Sequence, residues 1–185
     1  MNQLIPTGLL RHRNNHFASN FIKNCVFEVK KPADCSMTEL HHFYRLVRMG
    51  NKVSAADLHQ KISNCDYLAF CYQGEVLIGI SAIKRPEASY LKLVFAKAGI
   101  SRSVDGRIQE IGYSFTVHDF RRKGIGSTLK TLLLNKIIGY EGLLFSTTAS
   151  QSSQRFLQAN GFVPCGHAYD GIFDSDIIYF EHGGM

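Results

Sequence analysis

Hydrophobic and polar residues alternate most regularly between Glu110 and Val117. The apolar members of this segment are Ile111, Tyr113, Phe115 and Val117. Alternation with a period of two indicates a strand that buries one face. A basic loop with two glycines follows, and apolar residues then recur at helical spacing at positions 129, 132, 133 and 137. The pattern therefore predicts a strand, a loop and a helix in direct succession.

The same patterns predict further elements on both sides of this segment. Other strands are predicted for residues 25–30, 67–72, 76–83, 143–147, 162–169 and 176–180. Hairpin turns are expected at Gln73-Gly74 and at Asp170-Gly171. Helices are predicted after residue 36, after residue 54, over 89–98 and over 151–160.

Helix boundaries have their own signals. Ser36 and Glu39 have the spacing of a capping box, and Gly50 is suited to end the helix that they begin. Ser54 to Asp57 repeats the capping pattern ahead of Leu58, Ile62 and Cys65. In the helix over 89–98, the side chains expected to share one face are Tyr90, Leu93, Val94 and Lys97. Helix stops are expected at Gly99, Gly139 and Asn160-Gly161.

The loop between the central strand and its helix favours anion binding. Residues 121–126 read R-x-x-G-x-G, and the helix is predicted to begin near Ile125. Unpaired N–H groups and the positive end of the helix dipole would then face a ligand in the loop. Ser127 stands where the P-loop motif has lysine, and the dinucleotide motif lacks its third glycine. The alternative is a loop that only connects strand and helix.

The order of Val117, Arg121, Gly124 and Gly126 resembles the signature of the GNAT superfamily, the acetyl-CoA-dependent N-acyltransferases. The segment 158–162 is similar to the glycine-phenylalanine end of a second motif of that family. The resemblance spans residues 25 to 182 and implies an α/β (α+β) fold. It further implies a central, mixed, mostly antiparallel twisted sheet of about six to seven strands, flanked by helices.

Acetyl-CoA is the acyl donor that this resemblance implies, with no metal. In the family, backbone groups of the central strand hold the pantetheine arm, and the following loop holds the phosphates. Carried over to this sequence, the cofactor-binding residues are Phe115, Thr116, Val117, Arg121, Arg122, Lys123, Gly124, Ile125, Gly126, Ser127 and Thr128. The family also places the acceptor near its early helices, and relative to it residues 84–107 form an insertion. That insertion either shapes specificity or covers a face of the sheet.

Two side chains are candidates for the chemistry. Glu110 is the expected base, because several family members carry a glutamate on this strand, although a bulge would reverse the face on which it lies. The tyrosine that family members use to protonate the leaving thiolate is replaced by Leu157. Ser153, one turn earlier, is the substitute candidate. Both residues also have ordinary alternatives, a salt bridge for Glu110 and helix capping for Ser153.

Cofactor contact by an asparagine is also lost, because Ser150 occupies its place. Ser152 or Gln151 could take over that contact. Cys165 and His167 have the spacing of a nucleophile with its partner, but a structural cysteine is the more common case. His41 and His42 are adjacent and make a poor pair of metal ligands, so no metal site is expected.

Composition narrows the class of protein. A chain of 185 residues with 45% hydrophobic residues fits one domain. Its five cysteines include no C-x-x-C pair, which is typical of a reduced, cytoplasmic protein. The sequence shows neither a membrane span nor a signal peptide. The net charge of +6 suits CoA phosphates and equally suits nucleic acid.

The chain is expected to divide into a basic N-terminal extension, residues 1–24, and an acetyltransferase domain, residues 25–185. The extension contains Arg11, His12, Arg13 and His16, which favour either a solvated tail or an arm for RNA. The first hypothesis is an N-acetyltransferase in which a primary amine attacks acetyl-CoA directly. The alternatives are an inactive GNAT-fold module that binds acyl-CoA, and a protein that acts on or binds tRNA. Expected acceptors are an amine-bearing small molecule, a peptide or charged tRNA, and the other expected partner is a second copy of the chain in a homodimer.

Overall fold

A single mixed sheet organises the protein in the computed structural model, which describes residues 21–51 and 53–182. Its seven strands have the order β1-β2-β3-β4-β5-β7-β6, and all neighbours are antiparallel except β4 and β5. The strands are β1 Val26–Lys30, β2 Tyr67–Gln73, β3 Val76–Lys84, β4 Ile108–Thr116, β5 Leu143–Thr148, β6 Phe162–Tyr169 and β7 Ile177–His182. The expected mixed, mostly antiparallel sheet flanked by helices is confirmed.

Helices cover both faces of this sheet. They are α1 Met37–Gly50, α2 Leu58–Ser63, α3 Ala88–Ala98, α4 Ile125–Lys136 and α5 Gln151–Ala159. One face packs against α4 and α5 through Ile125, Leu129 and Leu157. The other face is shared, because α1 and α2 cover β2 and β3 while α3 covers β5 and β7. Among the described residues, no helix is both long and apolar enough to span a membrane.

The predicted capping box is present at the start of α1. The Ser36 hydroxyl accepts from the Glu39 amide, and the Glu39 carboxylate accepts from the Ser36 amide. The second predicted capping pattern is wrong. The Ser54 hydroxyl accepts from Ala56 in a local turn, and Asp57 precedes α2 in the left-handed conformation without a side-chain cap.

The structure corrects two further predictions, one of a hairpin turn and one of a buried helix face. Gln73 pairs with Val76, so the hairpin turn is formed by Gly74 and Glu75 and not by Gln73-Gly74. The positive φ of 57° at Gly74 fits this turn. The buried face of α3 consists of Leu91, Val94, Phe95 and Ala98. Leu93, assigned to that face from the sequence, is 54% exposed because it lies on the side away from the sheet.

A β-bulge interrupts the central strand, as the family resemblance anticipated. Ala82 faces Gly112 and Ile80 faces Phe115, so Tyr113 and Ser114 together oppose Ser81. Tyr113 has a φ of +50°, the conformation that accommodates the additional residue. Tyr113, within the bulge, and Phe115, beyond it, both pack on the α1 face. The bulge changes the side-chain alternation, which a count along the sequence cannot locate.

Candidate active site

The two parallel strands at the centre of the sheet separate along their length. Their ladder consists of three pairs and ends where Glu110 faces Phe145. The buried Ser146 hydroxyl then donates to the Ile111 carbonyl at 2.9 Å, which closes the base of the gap. Within the described residues, β4 continues to Thr116 and β5 to Thr148 without further pairing between them. This gap leaves one edge of β4 open to a ligand in extended conformation.

The glycine loop stands at the open end of this gap. Gly124 precedes α4 with a φ of 86°, and α4 begins at Ile125 as expected. Arg122 also has a positive φ, 61°, and left-handed residues in a loop are typical of backbone concavities that bind anions. A Cβ at Gly126 would find only the Thr116 hydroxyl within 4 Å, at 3.8 Å. The helix N-terminus is thus uncovered on the side that faces β4, as anion binding requires.

Arg121 fixes the loop to the central strand. Its Nε donates to the Thr116 carbonyl at 3.0 Å, and its guanidinium lies 5.6 Å from the centre of the Phe115 ring. The side chain remains exposed, so further guanidinium donors face solvent beside the loop. This arrangement brings together three of the residues expected to hold the donor.

Residues at the start of the described chain lie against the same loop. The rings of Phe21 and Phe120 are 5.9 Å apart, and the Lys123 ammonium lies 4.3 Å from the Phe21 ring centre. A Cβ on Gly124 would come within 2.9 Å of the Ile22 side chain. The segment assigned to a separate extension therefore reaches the loop at residues 21 and 22, while Arg11 to His16 lie outside the described residues.

Glu110 occupies the base of the gap on the face covered by α1 and α3. It is only 3% exposed, and both of its carboxylate oxygens have partners. Lys84 donates to Oε2 at 2.5 Å, and the Tyr90 hydroxyl donates to Oε1 at 3.1 Å. The Lys84 ammonium also lies 4.9 Å from the ring centre of Tyr113. The candidate base is therefore one member of a buried polar cluster and not an isolated carboxylate.

The charged and polar groups of this cluster change one another's pKa values. Burial alone would lower the pKa of Lys84, but the charge of Glu110 and its hydrogen bond outweigh burial and raise that pKa. Burial, followed by the negative charge of Glu110, raises the pKa of Tyr90 well above its ordinary value. Burial also raises the pKa of Tyr113 to about 12. At neutral pH the cluster thus contains one cation and two neutral phenols around the carboxylate.

Helix α5 presents a different surface to the gap. Leu157 is 1% exposed and packs in the core with Ile111, so the helix carries no hydroxyl at the position of the family's tyrosine. Ser153 accepts from Lys130 at 3.2 Å, and its amide donates to the capping hydroxyl of Ser150 at 3.5 Å. Ser153 lies one turn, about 6 Å, nearer the mouth of the gap than Leu157.

Lys130 is a second buried cation. It is 6% exposed and lies 4.6 Å from the ring centre of Phe156. Burial lowers the pKa of Lys130 to about 8. In the parts of the chain that the structure describes, it forms no ion pair with a carboxylate. Lys130 joins α4 to α5 beside the gap, a contact that sequence reasoning did not identify.

The other candidates from the sequence do not form sites. Gly166 separates Cys165 from His167 with a φ of 70°, and burial raises the pKa of the Cys165 thiol, which opposes thiolate formation. His41 and His42 have ring centres 6.4 Å apart. No group of three potential metal ligands occurs within residues 21–51 and 53–182.

Several members of the buried cluster were not identified from the sequence. From the sequence, Lys84 only begins the insertion 84–107, and Tyr90 is placed on a helix face. The pairing of Lys84 with Glu110 follows from the β3–β4 register, and the position of Tyr90 follows from the packing of α3. The available signal for Lys84 was a cation at the end of a strand, two residues before Pro86. That signal does not identify the carboxylate with which the lysine pairs.

Comparisons with solved structures identify the fold. An acyl-CoA N-acyltransferase from Pseudomonas aeruginosa is similar with a TM-score of 0.63 and 16% identity, covering 86% of this chain and 99% of that one. FeeM, an N-acyl amino acid synthase from uncultured soil microbes, has a TM-score of 0.65 and 15% identity, covering 85% of this chain and 90% of that one. An N-acetyltransferase from Staphylococcus aureus has a TM-score of 0.56 and 18% identity, covering 85% of this chain and 97% of that one.

No protein-family model matches the sequence, and no curated protein matches it significantly. At identities of 15–18%, the structural likeness establishes the GNAT fold and does not by itself assign an activity. The activity has to be argued from the gap, the loop and the buried cluster.

Proposed function

We propose that this protein is an N-acetyltransferase that transfers an acetyl group from acetyl-CoA to a primary amine by direct attack. The observation that carries this proposal is the gap between β4 and β5. It leads from an uncovered helix N-terminus at Gly124 to a buried carboxylate at Glu110. A phosphate-bearing donor with a long extended arm fits such a path. The family likeness of the neighbours agrees with this interpretation.

Donor binding follows from the loop and the strand edge. The amides of residues 122–127 and the positive end of α4 attract the pyrophosphate. The side chains of Arg121, Arg122 and Lys123 add positive charge around it. The pantetheine arm would extend along β4 and use backbone groups of Phe115, Thr116 and Val117. Ser127 and Thr128 would lie in the first turn beneath the phosphates.

The length of β4 that the pantetheine arm covers determines where the thioester of the donor lies. Residues of a strand are about 3.3 Å apart, and Thr116 and Gly112 face residues only three positions apart on β3 because of the bulge, so an arm that passes between them spans about 10 Å. This brings the thioester to the bulge, where backbone direction changes and an amide can polarise its carbonyl. Glu110 lies just below this level, on the face reached between α1 and α3.

The amine must be neutral when it attacks, and its nitrogen becomes positively charged as the C–N bond forms, so it then has to lose a proton. Glu110 is the proposed acceptor of that proton. Lys84 is its ion-pair partner. Ser153 is the weaker candidate of the two, because it already accepts from Lys130 and lies nearer the mouth of the gap.

Thermal denaturation with acetyl-CoA tests donor binding. We expect millimolar acetyl-CoA to raise the melting temperature of the wild-type protein, since a ligand that binds only the folded state stabilises it. Gly126→Val should abolish the shift, because the added side chain enters the space above the helix N-terminus. Thr131→Val, an exposed site on the same helix, is the matched control. An unchanged wild-type melting curve would contradict the proposal.

An inactive module that binds acyl-CoA is the second candidate. The observation in its favour is the apolar Leu157, which leaves α5 without a proton donor. Release of free CoA thiol in the presence of a panel of small amines and peptides separates the two. Turnover that requires both acetyl-CoA and an amine supports the enzyme, whereas donor binding without turnover supports the module.

The cysteine content and the structural neighbours bear on the cellular location of the protein and on the substrates to assay. All five cysteines are free thiols, which is typical of the cytoplasm, and we propose that location. FeeM is named for the synthesis of N-acyl amino acids, so amino acids and longer acyl-CoA donors belong in the assay panel. Gel filtration would test whether the chain forms a homodimer.

A further inference from the structure

The Tyr90 hydroxyl lies at the base of the gap, on the side opposite α5. It donates to Glu110, the last residue of β4 that pairs with β5. It also interacts with the side chain of Thr147 on β5. Tyr90 belongs to α3, the helix inserted between β3 and β4. A phenol from the inserted helix thus reaches both separated strands.

The strand register defines the level of this hydroxyl in the gap. Glu110 faces Phe145, so Thr147, two residues further along β5, is level with Gly112. The bulge in β4 begins at that level. The proposed path of the pantetheine arm ends there too. The sulfur of a bound donor would therefore come close to Tyr90, and not to Ser153 near the mouth of the gap.

We propose that Tyr90 protonates the departing CoA sulfur and takes a proton from Glu110 in exchange. This inference rests on the proposed acetyltransferase function. As the amine nitrogen forms its bond to the acetyl carbon, the C–S bond breaks and its electron pair goes to sulfur. The amine proton passes to Glu110, the Tyr90 proton passes to sulfur, and Glu110 returns a proton to Tyr90. The products are the amide and CoA thiol, and both side chains regain their starting protonation.

The surroundings of Tyr90 suit this task. The hydroxyl is neutral at physiological pH, because burial and the charge of Glu110 raise its pKa. The titratable groups that face it are Glu110, Lys84, whose ammonium is 5.0 Å from the ring centre, and Tyr169, which shares Thr147. The cation near the ring favours negative charge on the sulfur and on the carboxylate alike. Leu157 offers no competing donor from the other side.

The inference can be tested with the product complex, so it does not require a known acceptor. The proton affinity of the bound CoA thiol is measured from the ultraviolet absorbance of its thiolate during a pH titration. The same protein saturated with desulfo-CoA serves as the reference and removes the titration of protein groups. A hydroxyl that donates to the sulfur stabilises the thiolate and lowers the pKa of the bound thiol.

Tyr90→Phe removes only the hydroxyl and keeps the ring packed. We expect the pKa of bound CoA thiol to rise by about one unit in Tyr90→Phe, the effect of one hydrogen bond to a charged group. Tyr169→Phe is the control that should leave it unchanged. Equal thiol pKa values in wild type and Tyr90→Phe would overturn the inference, as would a shift produced by Tyr169→Phe alone. Failure of wild-type protein to bind CoA would instead overturn the proposed function on which it rests.

Discussion

At the scale of single residues, the site places two lysines in contrasting surroundings. Lys84 is buried beside a carboxylate, and the charge of Glu110 holds it protonated. Lys130 is buried against Phe156 and a serine hydroxyl, and its pKa falls to about 8. The difference arises from the neighbouring charge and not from the lysines themselves. One lysine thus stabilises an anion, whereas the other reduces stability while it remains charged.

Lys130 gives the protein a defined dependence of stability on pH. Its pKa is about 8 when folded and near 10.5 when unfolded, so the unfolded state binds more protons between these values. The contribution of Lys130 to the free energy of unfolding therefore rises with pH across that window. The cost at neutral pH is about 3 kcal/mol at most, from the size of the shift. Above pH 10.5 both states are neutral and this cost is gone.

Lys130→Met should remove that cost while filling the same space. We expect the variant to have the higher melting temperature at pH 7, with the advantage over wild type shrinking as the pH rises from 8 towards 10.5. Denaturation at a series of pH values checks this difference. Lys136→Met, at an exposed site of the same helix, controls for loss of one positive charge. A constant difference at all pH values would show that Lys130 titrates normally.

At the scale of elements, the contact between α4 and the sheet positions the glycine loop. Gly79 of β3 lies directly beneath the start of α4, where an added Cβ would be 2.7 Å from Ile125 and 3.3 Å from Leu129. Ile125 is the first residue of α4 and follows Gly124 of the loop. The absence of a side chain at residue 79 therefore allows the helix N-terminus to approach the sheet closely.

Gly79→Ala should weaken both folding and donor binding. The methyl group has to displace α4, and overpacking of this kind typically costs about 1–3 kcal/mol of unfolding free energy. Because the displaced residue begins the helix beneath the phosphates, acetyl-CoA affinity should fall as well. Urea denaturation and calorimetric titration measure the two effects. Gly126→Ala adds the same methyl without a close contact and should not be destabilising; equal stability of both variants would contradict the proposed contact.

Elements whose signals are local could be predicted from the sequence. The capping box at Ser36 and the left-handed glycine ahead of Ile125 depend on neighbours along the chain. The pattern at Ser54 failed because its hydroxyl satisfies a nearer amide, at Ala56. Tyr90 could not be assigned to the site, since its partners come from strands that follow it by twenty residues and more. The bulge at Tyr113 likewise becomes evident only from the register with β3.

At the scale of the whole molecule, the sequence concentrates positive charge in two segments. The chain carries a net charge of +6, and the loop residues Arg121 to Lys123 account for part of it. The basic residues of the first twenty positions are the other concentration that the sequence singled out. If the acceptor is charged tRNA, this second group would contribute phosphate contacts that acetyl-CoA does not use.

Removal of residues 1–20 tests that possibility. If the arm contacts RNA, the slope of RNA affinity against salt concentration should become less steep in the truncated protein, because fewer counterions are released on binding. Binding is measured by fluorescence anisotropy at several salt concentrations. A truncation that keeps Phe21 and Ile22 leaves the contacts at the loop intact. No binding of RNA by the full chain at low salt would exclude RNA as a partner.

The packing of Phe21 against the glycine loop also allows ligand binding to be followed by intrinsic fluorescence. The sequence contains no tryptophan, so Phe21→Trp would install a single dominant fluorophore. That indole would stand beside Phe120 and within reach of the Lys123 ammonium, where a bound pyrophosphate changes the local field. Donor occupancy would then appear as a change in emission from one known position, without a label, a coupled enzyme or any knowledge of the acceptor.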